Sequence, residues 1–512
     1  MYKKSNENLI KTNILHKIAT GRGPVRHTQG GNAMKFKKFK ALALSLAMTM
    51  SLAACGGGGT GSTGSTSSGS NDNTTTAATE DSGSGSGEST GAKQTDGKNV
   101  PELTKDDMTI VLWDIATEEP NKSTQEAAVQ RFMNDYPNIH VEQIHQQNDN
   151  YKQQLVVAMS SGKCPDMYIS WGGGPMAEYY KSGFADDITD LFNTYDHPDF
   201  IDAAVAQGTY DGKIIGIPFG SLSGCDVFYN KTIFKENGLE VPTTLEELED
   251  VCEKLKAADI TPFALANAPK WTGSMYYMYL VARHSGNAEF DAAYTQEGSF
   301  GSEAFIFASD KIQDWVKKGY FPDGVNSLSP DDGQDKQLMY DGSCAMMLHG
   351  SWMAGSMAAD NQEWYDENIG VFRWPEDTEA KAKGVPQDVE IGTAIGNAFN
   401  FNSQGDQEKL KAMYVLATQY FNDDIYNKEQ MEHLNTPSIK GYEAQVEDPN
   451  MKIITEVFFN ASNVQLWYDQ YLPASVTEVH KDSMSALFGL EKNGAEIGEA
   501  QDKAMKEALA DQ

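Results

Sequence analysis

Trp171 is the first residue whose type and position suggest a binding role. It follows the strand-like run MYIS and precedes the glycine-rich turn 172–174. In open α/β sheets, residues at such strand ends face the ligand crevice. A tryptophan ring packs on the apolar C–H face of a sugar, while carboxylates bond hydroxyl groups. Glu118, after the first predicted strand, and Asp469, two residues beyond Trp467, are candidate carboxylates.

Both residue types also have an ordinary structural explanation. A single tryptophan in a chain of 512 residues usually belongs to the core, and most of the 73 acidic residues must be solvated. The excess over 41 basic residues gives a net charge of -32, which disfavours nucleic acid and anionic lipid headgroups as partners. The same charge also suits a secreted protein kept soluble by repulsion.

Known catalytic motifs do not stand out in the sequence. The chain has no GxxxxGK[ST] loop and no HExxH pair, and neither a GxSxG elbow nor a GxGxxG turn follows a strand-like run, so no catalytic residue is nominated. The cysteines show no CxxC or metal spacing, and neither a metal nor a cofactor is expected. A glycoside hydrolase stays open as an alternative, because it too combines tryptophans with two carboxylates about 5–10 Å apart.

Residues 34–54 have the pattern of a secretory signal peptide. Basic residues precede the apolar run 41–54, whose 14 residues are fewer than the roughly 20 needed to cross a bilayer. The run leads into LAAC, which resembles the bacterial lipobox. We therefore expect cleavage before Cys55 and a diacylglycerol on it; an ordinary signal peptide with a coincidental cysteine is the alternative. Residues 1–33 fit neither a signal nor a core and are interpreted as a mis-assigned upstream extension.

Residues 55–101 are predicted to be the lipidated cysteine and a flexible linker. Between Gly56 and Val100 the composition is almost entirely small and polar, so the segment cannot bury enough apolar surface to fold. The later cysteines lie far apart, and buried free thiols are expected, although their even number leaves a disulfide open. They are Cys164, Cys225, Cys252 and Cys344.

Strand-like and helix-like patterns alternate after the linker. Residues 108–115 form an apolar strand-like run, and Ser123 with Glu126 forms a capping-box pattern ahead of apolar residues at helical spacing. A second capping box, Thr244 with Glu247, predicts another helix start. Such alternation is typical of an α/β fold built from right-handed βαβ units, and it predicts mostly parallel sheets.

Four segments carry a resemblance to a known family. They are 165–192, 210–220, 227–265 and 339–353. In this order they resemble the bacterial extracellular solute-binding proteins of family 1, which include maltose-binding protein, and the resemblance extends over almost all of residues 104–512.

The resemblance implies a two-lobed α/β fold of the periplasmic binding protein type. The first lobe would comprise 102–222 with about 400–447, and the second 223–399 with about 448–512. A multi-strand hinge would join these discontinuous lobes around a ligand cleft that closes by hinge bending.

The resemblance also implies which residues bind the ligand. Besides Glu118 and Asp469, it adds Asp226, which lies beside the implied hinge. The positions similar to the family's aromatic sugar-stacking sites are Trp171, Trp271, Trp352 and Trp467. Four stacking rings favour an oligosaccharide over a single sugar.

The function implied by the resemblance is capture of a sugar and its delivery to the permease subunits of an ABC importer, without catalysis. A lipid on Cys55 would hold the protein on the extracellular face of the cell membrane. Such a tether suits a Gram-positive cell, which has no outer membrane to retain a free protein. A monomer is expected. Apart from a secreted glycoside hydrolase, a sugar-sensing lipoprotein that meets no transporter is the remaining alternative.

Overall fold

The computed structural model describes residues 93–510. The predictions for Cys55, for the signal peptide 34–54, for the extension 1–33 and for the linker up to residue 92 lie outside these described residues. Within them, no helix is both long and apolar enough to cross a membrane.

The last residues of the predicted linker are folded against the rest of the protein. The Gln94 N–H donates to Asp135 Oδ2 at 2.8 Å, and the Thr95 and Tyr136 hydroxyl oxygens are 3.0 Å apart. The prediction of a flexible tether is therefore wrong for residues 93–100. Side-chain hydrogen bonds to distant positions order this stretch, and composition does not reveal them.

Thirteen strands form two large sheets and a hairpin in the described residues. The first sheet has the order β2-β1-β3-β12-β6 and the second β13-β11-β7-β9-β8, with β10 also paired to β7; β4 and β5 form the hairpin. The strands are β1 Met108–Asp114, β2 Ile139–His145, β3 Met167–Ser170, β4 Thr209–Tyr210, β5 Lys213–Ile214, β6 Ile217–Phe219, β7 Ser223–Asn230, β8 Thr261–Phe263, β9 Cys344–Gly350, β10 Ile369–Phe372, β11 Val389–Thr393, β12 Asn397–Phe401 and β13 Asn463–Gln465.

Helices alternate with these strands along the chain, which confirms the α/β class. The α-helices are Asn121–Asp135, Asn148–Ser160, Gly173–Lys181, Thr189–Thr194, Asp202–Gln207, Lys231–Glu236, Leu245–Ala257, Trp271–Ser285, Ala288–Tyr294, Glu303–Lys318, Gln334–Tyr340, Trp352–Asp360, Gln362–Asn368, Thr378–Ala382, Gln407–Gln419, Asp424–Glu432, Pro449–Asn460, Tyr468–Tyr471, Ala474–Phe488 and Gly494–Ala510. Short 3₁₀ helices span Val325–Ser327 and Glu443–Gln445.

Both sheets are mixed, so the prediction of mostly parallel sheets is wrong. β1 pairs in parallel with β2 and β3, as expected for βαβ units. β12, however, runs antiparallel to β3 and β6, and β7 runs antiparallel to β9, β10 and β11. The physical reason is that the chain crosses from one sheet to the other just before β7 and just before β12. Each of these two strands therefore runs opposite to the strands beside it in the sheet that it enters.

Each sheet has its own hydrophobic core, and we call the parts built around the first and second sheets the first and second lobes. Phe132 and Met413 are fully buried in the first core, and Tyr276 and Trp315 in the second. The four later cysteines are buried free thiols, as predicted.

The two capping-box predictions have opposite outcomes. The Thr244 side chain accepts from the Glu247 N–H at 3.2 Å, and a helix begins at the next residue. The first helix instead begins at Asn121, so Ser123 lies inside it and the prediction for Ser123 is wrong. Here Glu119 supplies the side-chain acceptor at the helix start, because its Oε2 accepts from the Ser123 N–H at 3.1 Å.

Three neighbouring chain segments connect the two sheets. Residues 220–222 join β6 to β7, and residues 394–396 join β11 to β12. The third segment, 436–438, contacts both: the Leu222 N–H donates to the carbonyl at position 436 at 2.9 Å, and the hydroxyl at position 438 donates to the Ala394 carbonyl at 2.5 Å. This multi-strand connection is the predicted hinge.

Substituting Gly396 by alanine should destabilise this hinge. Gly396 has φ +54°, and a Cβ there would lie 2.5 Å from the Ser221 carbonyl oxygen. We expect Gly396→Ala to lower the free energy of unfolding by more than the about 1–2 kcal/mol that left-handed backbone alone costs an alanine. Gly405→Ala is the matched control, because Gly405 has φ +88° and no described atom within 4 Å of its Cβ position. Equal losses in chemical unfolding would contradict the role given to Gly396.

Candidate ligand-binding site

A cavity of about 380 Å³ lies between the two lobes. Its volume falls within the roughly 300–1,000 Å³ typical of small-molecule sites. Trp171 lines it from the first lobe and Trp352 from the second, and Ser221 and Gly396 of the hinge lie at its base. Any molecule held here would touch both lobes at once.

Six of the seven predicted ligand-binding residues line this cavity. The fold thus brings side chains from opposite ends of the described chain to one space. They are Glu118, Trp171, Trp271, Trp352, Trp467 and Asp469.

Asp226 is the predicted residue that the structure does not bring to the cavity. It is 1% exposed on β7 and shares one strand face with Gly224, whose Cβ position lies 3.1 Å from Ile454. Asp226 Oδ2 lies 3.4 Å from the same Cβ position, so this carboxylate is enclosed within the second lobe and is not part of the cavity lining. Burial, together with the charge of Glu390, raises the pKa of Asp226 well above its usual value.

Three tryptophans and a histidine form an aromatic cluster on the second-lobe wall. The ring centroids of Trp271 and Trp352 are 6.3 Å apart, and those of Trp352 and Trp467 are 5.9 Å apart. His349 lies edge-on to Trp271 and Trp352, at 5.8 and 5.3 Å. Because the rings are tilted against one another, they present apolar faces in several directions.

The helix Trp271–Ser285 positions one side of this cluster. Trp271, Ser274, Met275 and Met278 all line the cavity. Their spacing of three, four and seven residues places them on a single helix face. This face therefore carries one hydroxyl group among an aromatic ring and two thioethers.

Trp171 lies on the first-lobe wall beneath a lysine. The ammonium group of Lys152 is 4.4 Å from the Trp171 ring centroid, a cation–π contact, and Tyr151 packs edge-on at 5.9 Å. Burial lowers the pKa of Lys152, while the charges of Asp469 and Asp149 act in the opposite direction. Lys152 also lines the cavity, and no motif in the sequence pointed to it.

Two further polar residues of the lining were not predicted. His349 is 3% exposed, and neither of its ring nitrogens has a hydrogen-bond partner among the described residues. Burial lowers the pKa of His349 to about 4, so its imidazole is neutral at neutral pH. From the first lobe, the buried Gln430 Nε2 likewise lacks a partner in this part of the chain. His349 stands three residues before Trp352 in a segment that resembles the family, but only the fold reveals its burial.

The two lobes touch each other beside the cavity. The Asp149 N–H of the first lobe donates to Asp331 Oδ2 of the second at 3.3 Å. A Cβ on Gly173 would lie 2.1 Å from the Gln470 carbonyl oxygen, so glycine is needed for the close approach of these two segments. Burial and the charge of Asp331 raise the pKa of Asp149. The cleft is thus bridged by direct contacts between its walls.

Sequence comparison matches this chain to a known family. The model for bacterial extracellular solute-binding proteins matches residues 116–418, more than half of the chain.

Within the described residues, no group of three or more His, Cys, Asp or Glu side chains could hold a metal ion.

Individual relatives are more distant. An uncharacterized ABC transporter extracellular-binding protein of Pyrococcus horikoshii is 25% identical over 280 residues, which are 52% of this chain and 61% of that protein. The multiple sugar-binding protein of Streptococcus mutans is 32% identical over 170 residues, 32% of this chain and 39% of that protein. The chain therefore spans less than two thirds of the length of these relatives.

The fold is shared with solved structures. A structure from work on xylan utilization by Caldanaerobius polysaccharolyticus is similar with a TM-score of 0.69 at 24% identity, covering 77% of this chain and 99% of that one. At this identity the likeness shows the fold alone, and it confirms the predicted two-lobed architecture. With the family model matching more than half of its sequence, the chain belongs to the bacterial extracellular solute-binding protein family.

Proposed function

We propose that this protein captures a sugar, specifically an oligosaccharide, outside the cell and delivers it to the permease subunits of an ABC importer. The observation that carries the proposal is the cavity between the lobes, which four tryptophans line from both sides. Membership of the solute-binding family supports binding and transport. The lipobox-like sequence at Cys55 supports a lipid anchor on the extracellular face of a Gram-positive cell membrane, where the protein would act as a monomer.

Aromatic stacking would supply the apolar part of recognition. Trp352 lies between Trp271 and Trp467, with ring centroids 6.3 and 5.9 Å away, and these tilted faces suit consecutive sugar rings that are not coplanar. Trp171 offers only the ring area that Lys152 leaves uncovered. A ligand of several rings would use more of this surface than a monosaccharide.

Hydroxyl groups of the ligand would bond to the polar lining. Neutral His349 offers one N–H donor and one acceptor, and Gln430 Nε2 offers a donor, all without a hydrogen-bond partner among residues 93–510. Asp469 is 8% exposed, and its Oδ2 already accepts from Gln470 Nε2 at 2.7 Å. Glu118 is exposed at the edge of the cavity. Unpartnered buried polar atoms of this kind favour an uncharged ligand rich in hydroxyl groups.

Binding would favour the closed arrangement of the lobes. A ligand shifts an equilibrium only by binding one state better, and a sugar touching Trp171 and Trp352 together does so only when the walls are close. The hydrogen bond from the Asp149 N–H to Asp331 already joins the two walls. The closed protein is then the form that the permease would recognise.

The experiment that tests the proposal is thermal unfolding of the purified protein with xylo-, malto-, galacto- and fructo-oligosaccharides and with their monosaccharides. A sugar at 100 times its dissociation constant should stabilise the folded state by about 2.7 kcal/mol. Product analysis of each positive sugar follows. Intact sugar with a raised melting temperature is the expected result. Cleaved sugar would establish a glycoside hydrolase instead, and no shift with any sugar would contradict the proposal.

Replacing Trp352 by alanine should weaken sugar binding by roughly 1–3 kcal/mol while the protein stays folded, because the ligand loses a stacking face. Isothermal titration with the sugar found above measures the loss. Trp364→Ala is the matched control, because Trp364 is half-buried against Tyr340 and does not line the cavity. An unchanged affinity in Trp352→Ala would show that this ring serves packing alone.

Replacing His349 by glutamine should change how stability depends on pH. Burial holds the pKa of His349 at about 4 in the folded protein, against about 6.5 in an unfolded chain. Between these values the unfolded state binds a proton that the folded state does not. The stability that His349 contributes is therefore complete above about pH 6.5 and falls by up to about 3 kcal/mol as the pH drops towards 4.

The measurement is the difference in unfolding free energy between wild type and His349→Gln at several pH values from 4 to 7. The neighbouring Asp335, whose pKa burial raises to about 6, titrates in the same range with the opposite sign and is present in both proteins. His140→Gln, on the exposed face of β2, serves as control. A difference that stays constant over this range would contradict the burial effect.

A further inference from the structure

Three buried polar side chains form a hydrogen-bonded chain behind the cavity wall. The Ser274 Oγ lies 2.7 Å from His480 Nε2, and His480 Nδ1 lies 2.9 Å from Gln501 Oε1. Ser274 is 2% exposed, His480 0% and Gln501 1%. Ser274 alone of the three lines the cavity, so it is the end of the chain that a ligand can reach.

Gln501, at the end of the chain away from the cavity, fixes which atom donates in each of these hydrogen bonds. The Gln501 amide nitrogen donates to the Ile497 carbonyl at 3.4 Å, which leaves Oε1 facing His480. An amide oxygen can only accept, so the hydrogen of the His480 ring must be on Nδ1. Burial lowers the pKa of His480, whereas its hydrogen bond to Gln501 and the charge of Asp469 raise it; the charge of Lys481 lowers it further.

The Ser274 hydroxyl group has one hydrogen to donate and two lone pairs that can accept. With the ring hydrogen on Nδ1, His480 Nε2 is an acceptor, and Ser274 must donate its single hydrogen to it. Only the lone pairs of the Ser274 oxygen then remain for the cavity. A serine on a surface can rotate its hydroxyl to suit either partner, whereas this one is held as an acceptor.

We propose that Ser274 is a specificity-determining residue that accepts a hydrogen bond from one hydroxyl group of the ligand. His480 and Gln501 are positioning residues that act through it. The inference rests on the proposed function, since it assumes a sugar in the cavity. Ser274 lies one helical turn after Trp271, so the hydroxyl it would recognise belongs to a ring stacked on or beside that tryptophan.

The same connectivity occurs in serine hydrolases, but two features separate this chain of residues from a catalytic triad. The third member, Gln501, is neutral, whereas a carboxylate stabilises the imidazolium that forms during catalysis. The Gly273 N–H, which precedes Ser274 and could serve an oxyanion, donates instead to Asn267 Oδ1 at 2.8 Å. The geometry therefore favours recognition over bond cleavage.

The ligand side of the proposal is tested with xylotriose, maltotriose and raffinose. For whichever of these binds, monodeoxyfluoro analogues replace one O–H at a time by fluorine, which cannot donate. At one ring position, fluorine should weaken binding to the wild type about tenfold, the worth of one hydrogen bond. In Ser274→Ala the penalty at this position should disappear, as measured by isothermal titration. Ser483→Ala is the control, because Ser483 is buried on the His480 helix and donates to the Val479 carbonyl at 2.7 Å, outside the cavity.

The positioning role is tested with Gln501→Glu. A carboxylate accepts from Nδ1–H and favours the doubly protonated ring, whose Nε2–H then donates to Ser274 and turns the serine hydrogen towards the cavity. This variant should bind the parent sugar more weakly and lose the fluorine penalty. The ¹⁵N chemical shifts of the His480 ring should report a neutral Nδ1–H form in wild type and an imidazolium in the variant. If Ser274→Ala does not fold, Gln501→Glu decides the question.

Failure of the Ser274 inference and failure of the proposed function give different experimental results. A fluorine penalty that is equal in wild type and Ser274→Ala overturns the inference while sugar binding stands. A wild-type His480 ring with its hydrogen on Nε2 overturns it as well. If no sugar of the thermal-unfolding panel binds, the proposed function fails and the inference falls with it; if another sugar of that panel binds, its deoxyfluoro analogues replace those of the three trisaccharides. Cleaved trisaccharide would establish a glycoside hydrolase and overturn both.

Discussion

The stretch 389–401 fixes the two lobes to each other. Its first part, β11, pairs within the second sheet and its last part, β12, within the first, with only residues 394–396 between them. Gln207 of the first lobe holds this crossing, because its Oε1 accepts from the Ala394 N–H at 2.9 Å. Backbone hydrogen bonds hold the two ends of this stretch in their respective sheets. The separation of the cavity walls therefore depends on this connection together with the neighbouring segments 220–222 and 436–438.

The cavity differs from the core in how its polar groups are satisfied. Arg283, fully buried in the second lobe, bonds to the carbonyls of Pro375, Trp374 and Val389 and to Glu390. His349 and Gln430, which line the cavity, keep buried nitrogen atoms without partners among the described residues. Leaving a buried polar group unpaired costs about 1–3 kcal/mol, and a ligand hydroxyl would recover part of this. The cavity thus has polar atoms that sugar hydroxyl groups could hydrogen-bond and tryptophan rings on which sugar rings could stack.

Local patterns predicted local structure well. The apolar run that became β1 and the Thr244 cap both depend on residues within a few positions of each other. The predictions failed where a different side chain made the expected hydrogen bond, or where residues far apart in the sequence came into contact. Glu119 displaced Ser123 as the acceptor at the first helix start, and contacts to Asp135 and Tyr136 ordered residues that composition marked as linker. Sheet direction failed for a similar reason, because strands that cross between lobes follow no local rule.

The sequence by itself determined the elements of the α/β fold and, through family-like segments, four tryptophans and two carboxylates that the fold brings to one cavity. Only the tertiary structure decided that Asp226 is buried outside the cavity lining, since burial depends on how the second lobe packs around β7. The same holds for Ser274, His480 and Gln501: residues 274 and 480 are 206 positions apart, and a hydrogen bond between them exists only because two helices pack together. Residue spacing in the sequence predicts which side chains are neighbours within one helix or strand. It does not predict which side chains of different helices and strands meet in a binding site.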